Sequence, residues 1–311
     1  MKVYDLFLYN KEEVIDLRLK IHDNFVDYFV IVEFNKTFQN NFKSYEFDLK
    51  KYEKFKHKII YKRKTLPNKF ENQTPWEIET FQRNSLTDDL EIQDNDVIFL
   101  SDIDEIIDPK KFLIYSDSVT LYECLNFRFF GNYLNLTNPI WNRPLSINYR
   151  LAKDTTLQKL RMSHKALKKG PFYDCYRKDI NNYMINVVKN AGWHFSSLKP
   201  ENRSLIKTIQ KKHKEYSHIE FNNSFFNNDK ILTFKIYMGF DIYNGPYRWG
   251  SITNVITNPI IKEWMKSKNL LSTINEKKKF KIKKNFVYNI TIRLISILNK
   301  MINIYLKLKH L

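Results

Sequence analysis

Cysteine is almost missing from this chain: Cys124 and Cys175 are the only two. They are too few for a disulfide framework and lack metal-ligand spacing, so both are expected to be reduced and packed. Glycine and proline are also sparse, six and nine residues. Neither gathers into a linker, and no domain boundary is expected before about residue 275. No internal repeat is visible. The chain opens Met1-Lys2-Val3-Tyr4-Asp5, without a basic-then-apolar leader of signal-peptide length, which gives the expectation of a cytoplasmic protein. Triplets such as Asn35-Lys36-Thr37 then reflect an Asn-rich composition rather than glycan attachment. Acids are outnumbered, 34 Asp and Glu against 52 Lys and Arg.

What remains is ample material for a core. With 43% hydrophobic and 15% aromatic residues in 311 positions, the sequence describes a folded protein rather than a disordered one. The net charge of +18 is uneven: from Glu276 to Leu311 ten Lys or Arg face one acid, leaving +9, half of the total, in that segment. Residues 286–311 are rich in Ile and Leu, but Arg293, Lys300, Lys307 and Lys309 interrupt them, so a spanning helix of about 20 apolar residues is not expected. The pattern fits a basic amphipathic helix lying on an anionic membrane surface, with a last helix packed on the domain as the alternative. The expected division is a domain at 1–275 and a membrane-associating tail at 276–311.

The chemistry concentrates in Asp96-Val97-Ile98-Phe99-Leu100-Ser101-Asp102-Ile103-Asp104-Glu105. A short apolar run ending abruptly in acids is the signature of a buried strand that delivers carboxylates to the rim of a sheet. Asp102 and Asp104 repel each other unless a cation lies between them. Oxygen ligands suit Mg²⁺ or Mn²⁺, which take few protein carboxylates and leave other positions to water and phosphate. The alternative is that one of these acids caps a helix containing Ile106 and Ile107, with Asp108-Pro109 opening another.

The preceding chain alternates. Val3–Tyr9 reads as a strand, 12–22 as a helix, Asp27–Phe34 as a strand, 45–57 as a helix, Lys58–Tyr61 as a strand, Trp76–Asp89 as a helix and 97–100 as a strand. This order predicts an α/β fold with a mainly parallel central sheet flanked by helices, binding ligands beyond the carboxyl ends of its strands. Residues 7–10, 33–35 and 101–105 then share one edge. Further on, Thr120–Phe130 and Leu145–Arg150 are candidate strands, Gly170-Pro171 marks a turn, residues 187–198 lack helical period, and 203–216 form a basic helix.

These residues also carry a resemblance. Tyr4-Asp5-x-Phe7-x-Tyr9-Asn10-x-Glu12 with Leu17-Arg18-Leu19, Val30-Ile31-Val32-Glu33 with Asn35, Thr37 and Phe38, then Trp76, Glu79 and Gln82-Arg83-Asn84, then Ser101-Asp102-Ile103-Asp104-Glu105-Ile106, and finally Ala191-Gly192-Trp193-His194-x-Ser196 form an ordered series. It resembles glycosyltransferase family 17, the β-1,4-N-acetylglucosaminyltransferases, over roughly residues 3–245. The resemblance implies a GT-A fold, a nucleotide-sugar donor (a UDP-sugar, with N-acetylglucosamine favoured), an Asp-x-Asp metal site and an inverting transfer. Asp102, Asp104 and His194 are the implied ligands of Mn²⁺ or Mg²⁺. Phe7, Glu33, Gln82, Arg83, Asn84, Ser101, Asp102 and His194 are the implied donor-binding residues.

Asp104 is expected to be catalytic through that metal, and Glu220 to be the general base, with Asp174 and Asp241 as rivals. His194 has a second reading as a hydrogen-bonded packing residue, Phe7 as core, Arg83 as a solvated helix charge, and Glu220 as a surface acid. A cytoplasmic member implies a surface polysaccharide or lipid-linked saccharide as acceptor. Two other classes compete with the transferase: a metal-dependent phosphoesterase or nuclease, and a basic nucleic-acid-binding protein. The first lacks the His and Asp clusters of two-metal hydrolases. The second lacks a polar basic arm interleaved with stacking aromatics, so no nucleic-acid partner is expected.

Overall fold

The computed structural model describes residues 1–115, 117–162, 184–252 and 256–272. Cys175, Asp174, the Gly170-Pro171 turn and the whole 276–311 tail lie outside the described residues. Four strands open the sheet in parallel: β1 (Val3–Leu8), β2 (Tyr28–Phe34), β3 (Ile59–Lys64) and β4 (Val97–Leu100). Their spatial order is β4-β1-β2-β3, with Leu6 beside both Val30 and Leu100. Runs such as FVIVEF and VIFL are apolar on both faces because helices cover both faces. The carboxyl ends of β1, β2 and β4 therefore share one edge. The helices α1 (Ile15–His22) and α2 (Pro75–Asn84) make two of the crossovers, α2 opening with a Thr74–Glu77 capping box and Pro75 in its first turn. Residues 49–58 between β2 and β3 form a kinked 3₁₀ segment in place of the expected α-helix.

Beyond β4 the expectation of a mainly parallel sheet fails. The remaining strands are β5 (Glu105–Ile107), β6 (Ser118–Arg128), β7 (Tyr133–Asn135), β8 (Ile140–Trp141), β9 (Leu145–Asn148), β10 (Met184–Ser196) and β11 (Trp249–Ser251). Of these, β9 runs antiparallel to both β4 and β6, β7 is antiparallel to β6 and β11, and only β10 lies parallel to its neighbour β6. The connections at 129–132 and 136–139 are too short for a crossover helix, so the chain must turn back on itself. The sheet is mixed. It is completed by α3 (Tyr149–Ala152), α4 (Leu157–Met162), α5 (Leu205–Glu215), α6 (Asp229–Met238) and α7 (Pro259–Ser267). One core cluster lies between the sheet and α1 and α7, and a second packs on the opposite face against α2, α3 and α4. Cys124 is buried in a third.

Candidate active site

Asp102 and Asp104 sit on the loop between β4 and β5, and Glu105 opens β5, so none lies in a helix; Asp108, by contrast, does cap the short turn at 109–111. That loop is anchored from beneath. Arg18 of α1 is fully buried and donates to the carbonyls of Asp102 at 2.8 Å and Glu105 at 3.1 Å, and to Ser101 Oγ at 2.5 Å. Its other donors fork onto the buried carboxylate of Asp5. One turn further on α1, His22 donates from Nδ1 to Asp5 at 2.9 Å, while its Nε2 accepts the Ile107 N–H at 2.9 Å. A buried charge survives only with such complete pairing. β5 is clamped by β10, which sets His194 opposite Glu105, and the Phe195 N–H reaches the Asp104 carbonyl at 2.8 Å. Gly192 lets the two strands approach: a Cβ there would lie 2.0 Å from the Ile106 carbonyl oxygen.

Above the loop lies a cleft of about 350 Å³. Its walls come from the strand ends of β1 and β2, from α2, from residues 141–143 and α4, from β10, and from α5 with the chain that follows it. Seven of its lining residues are basic, Lys36, Lys43, Arg83, Arg128, Arg143, Arg161 and Lys212, against five acids. Asp102 accepts from Arg83 Nη1 at 2.9 Å on one oxygen and from Arg161 Nη2 at 2.6 Å on the other. Burial by itself would raise this carboxyl, but Arg161 and Arg83 hold it well below the usual carboxylate range. Arg161 also forks onto Glu105, at 2.8 and 2.5 Å, and Trp141 Nε1 donates to the same carboxylate at 2.5 Å. Arg83 continues to Glu79 at 2.9 Å, and Glu79 accepts from Ser217 Oγ at 2.5 Å.

Asp104 is unlike its neighbour. Among the described residues no arginine reaches it, and burial pushes its carboxyl up to about 8, with the charges of Asp102, Glu105 and Glu12 adding to the effect and Lys212 opposing it. The same burial lowers Lys212 from the ordinary lysine range. His194 Nε2 lies 3.7 Å from Asp104 Oδ1. The ring is stacked on Trp141 at 4.2 Å and turns Nδ1 toward the amide oxygen of Asn126 at 3.2 Å. An N–H at Nδ1 satisfies that oxygen and leaves Nε2 as a lone pair. Burial holds the imidazole neutral, its pKa well below the ordinary value. Asp104 and the Nε2 lone pair of His194 thus face one another, and once the carboxyl gives up its proton both offer ligand atoms to a divalent cation with few protein ligands.

The remaining expected site residues divide. Gln82 and Arg83 line the cleft, Gln82 donating to the Lys36 carbonyl at 3.1 Å. Ser101 is buried under it, bound to Arg18. Phe7 is core, its ring 4.4 Å below the Arg18 guanidinium. Glu33 is buried and accepts from the Glu46 and Phe47 N–H groups and the Tyr61 hydroxyl, shaping the segment at 43–47. Asn84 caps α4 through the Gln158 N–H at 2.9 Å. Neither Glu220 nor Asp241 lines the cleft. Glu220 is half-exposed and 2.6 Å from His218, which does line it and meets Trp76 edge-on. Asp241 is buried against Arg128 at 2.6 Å. Sequence reasoning missed Arg161, Arg143, Trp141 and Lys212. Only Lys212 had a signal, as a member of the basic helix at 203–216.

Comparison with known proteins adds the following. The family model of glycosyltransferase family 17 matches residues 1–258. No curated protein matches the chain. Among solved structures, the chain is similar to S. aureus TarS 1–349, at 16% identity over 78% of this chain and 76% of that one, with a TM-score of 0.36. It is also similar to the same protein in complex with UDP, at 15% identity over 77% of this chain and 78% of that one, again with a TM-score of 0.36.

Proposed function

The chain belongs to glycosyltransferase family 17, and from that premise we propose a metal-dependent, inverting transfer of a sugar, N-acetylglucosamine from UDP-N-acetylglucosamine, to a glycan acceptor. The observation that carries the reading is the pair Asp104 and His194, 3.7 Å apart at the floor of a cleft lined by cations. Asp104 and His194 would hold Mg²⁺ or Mn²⁺, with Asp102 beside them on its two arginines. The bound cation supplies neutralisation of the negative charge that a leaving nucleoside diphosphate must accept.

The chain's own residues do the rest. Arg143 has no acidic partner among the described residues; its guanidinium rests near the Trp141 ring and donates only to the Arg161 carbonyl, at 3.4 Å. A planar fork with unused donors suits a phosphate. Lys212, whose Nζ meets Ser196 Oγ at 3.3 Å, offers a second cation on the side of Asp104. Preorganised in this way, both stabilise diphosphate charge without reorganising during the reaction. Arg18, His22 and Glu105 position the loop and touch no substrate. Gln82 and Arg83, which line the cleft, are proposed to contact the nucleotide, and Glu220 remains a proposed base only in company with His218, which also lines it.

The acceptor is proposed to be a surface polysaccharide or a lipid-linked saccharide at the inner face of a membrane, reached through the basic tail at 276–311. Among the described residues no helix is long and apolar enough to cross a membrane. Removing 276–311 is expected to move the protein from membrane to soluble fractions with donor hydrolysis intact. The central experiment is a thermal-shift screen of nucleotide sugars with and without Mn²⁺, since a ligand that binds only the folded state stabilises it by an amount that grows with the logarithm of its concentration over its Kd. Stabilisation by a UDP-sugar that vanishes with EDTA supports the reading, and indifference to every nucleotide sugar rejects it.

A further inference from the structure

A second cavity, of about 120 Å³, lies between residues 10–14 ahead of α1, the turn after β10, and α5. It is not a lobe of empty surface. Asn10, Glu12, Asp104, Lys212, Glu215 and Tyr216 line both this cavity and the larger cleft, so the two share a wall. We propose that the second cavity is the acceptor subsite, and that it takes a saccharide bearing a phosphate or carboxylate group. This rests on the transferase reading and names the substrate class of its second half.

Direct displacement with inversion requires the acceptor oxygen to form its bond to the sugar carbon opposite the bond to the leaving diphosphate that breaks, so both partners must reach one carbon from opposite sides. The only residues that can see both partners are those of a shared wall, and that wall includes Asp104, which the proposed cation places at the leaving diphosphate. The larger cleft has room for a nucleotide. The smaller one is of a size for a sugar ring, and Phe195, Leu198, Trp264 and Leu270 give it apolar faces.

The charge class follows from what is already taken. Among the wall acids, Glu12 accepts the Asn10 N–H at 2.7 Å, Glu13 accepts the Glu201 N–H at 3.2 Å, and Glu215 is engaged by the Asn10 amide at 3.2 Å and by Lys211 at 3.5 Å. Lys11 is spent on Glu46 at 2.7 Å. Lys199 and Arg203 line the same cavity and have no acidic partner among the described residues. A neutral sugar would leave both without use; an anionic one meets two free cations.

Glucose 6-phosphate, glucuronate, glucose and inorganic phosphate are titrated into the full chain with Mg²⁺, each with and without saturating UDP, and binding is followed by calorimetry. Glucose 6-phosphate or glucuronate should bind at least about tenfold more tightly than glucose and inorganic phosphate, and UDP should leave that affinity unchanged. The Lys199→Glu/Arg203→Glu double variant should lose about tenfold for the anionic sugar, with its UDP affinity reporting an intact fold. Failure of both anionic sugars to bind, their displacement by UDP, equal binding of inorganic phosphate, or an unaffected double variant overturns the proposal. Absence of UDP binding in the same titrations counts against the transferase reading instead, so the two failures separate.

Discussion

Arg161 Nη2 stands 2.6 Å from Asp102 Oδ2 while the same guanidinium forks onto Glu105, so one cation from α4 bridges Asp102 of the β4–β5 loop and Glu105 at the start of β5. Glu105 is fully buried. Removing the bridge leaves that carboxylate with the Trp141 and Asp102 N–H donors but no counter-charge. Arg161→Ala should therefore cost about 3–5 kcal/mol, the range for breaking a buried pair from one side. Arg161→Lys keeps the charge, loses the fork, and should fall between. Urea unfolding measures both, and an alanine variant within about 1 kcal/mol of the parent would show that the bridge holds nothing.

Asp104 should leave a signature in stability against pH. Its carboxyl ordinarily titrates at 3.8 and is pushed up to about 8 in the folded chain by burial, with Lys212 opposing. Between those limits the folded protein keeps a proton that the unfolded protein has released, so stability falls as pH climbs from about 4 to about 8. Asp104→Asn removes this component. In EDTA the variant's advantage in Tm should widen from pH 5 to pH 8, and Mg²⁺ added at pH 8 should raise the parent and not the variant. An advantage that is constant with pH would contradict the burial of an unpaired acid there.

His22 should act in the opposite direction. Burial lowers its pKa from 6.5 to about 4 in the folded chain, against the pull of Asp5. Between pH 6.5 and 4 the unfolded chain takes up a proton that the folded chain refuses, so stability is lost as pH falls through that window. The difference of about 2.5 pKa units is worth about 3 kcal/mol once pH falls below about 4, where the folded imidazole is protonated as well. A His22→Gln variant should be less stable at pH 7.5, having lost the fit between Asp5 and Ile107, and should show a flatter acid limb in denaturant titrations from pH 7.5 to 4.5.

The half of the sheet that carries the site was readable because its strands are buried on both faces, and runs such as Phe29–Phe34 and Val97–Leu100 have no other economical fold. The acids at the end of β4 stood out for the same reason. What could not be read was the return of the chain. The strand at 184–196 hides its length because Met184–Asn190 is largely exposed and the register slips between Val188 and Gly192. Arg161 gives no local sign at all: it sits in a six-residue helix and reaches Asp102 and Glu105 across 59 and 56 residues of sequence. Periodicity reports which face is buried, whereas a charge pair at that separation exists only once the sheet has closed. Glu33 shows the converse, a motif acid whose carboxylate serves the backbone of a neighbouring segment.

Gly192 offers the sharpest test of how the fold holds Asp104 and His194 together. A methyl group there would meet the Ile106 carbonyl oxygen at 2.0 Å and Ile107 Cα at 2.9 Å, both main-chain atoms that cannot rotate away. The strand at 184–196 must then draw back from β5, and with it go His194 and the N–H of Phe195 that holds the Asp104 carbonyl. Gly131→Ala is the control, because its new methyl would meet the thioether end of Met265, a flexible side chain that can move. Overpacking at Gly192 should cost at least about 1–3 kcal/mol and abolish Mn²⁺-dependent stabilisation by UDP-sugars at temperatures where the variant is still folded. Gly131→Ala should lose some stability and keep the Mn²⁺ response. Equal responses in the two variants would mean that the β5 clamp does not set the geometry of Asp104 and His194.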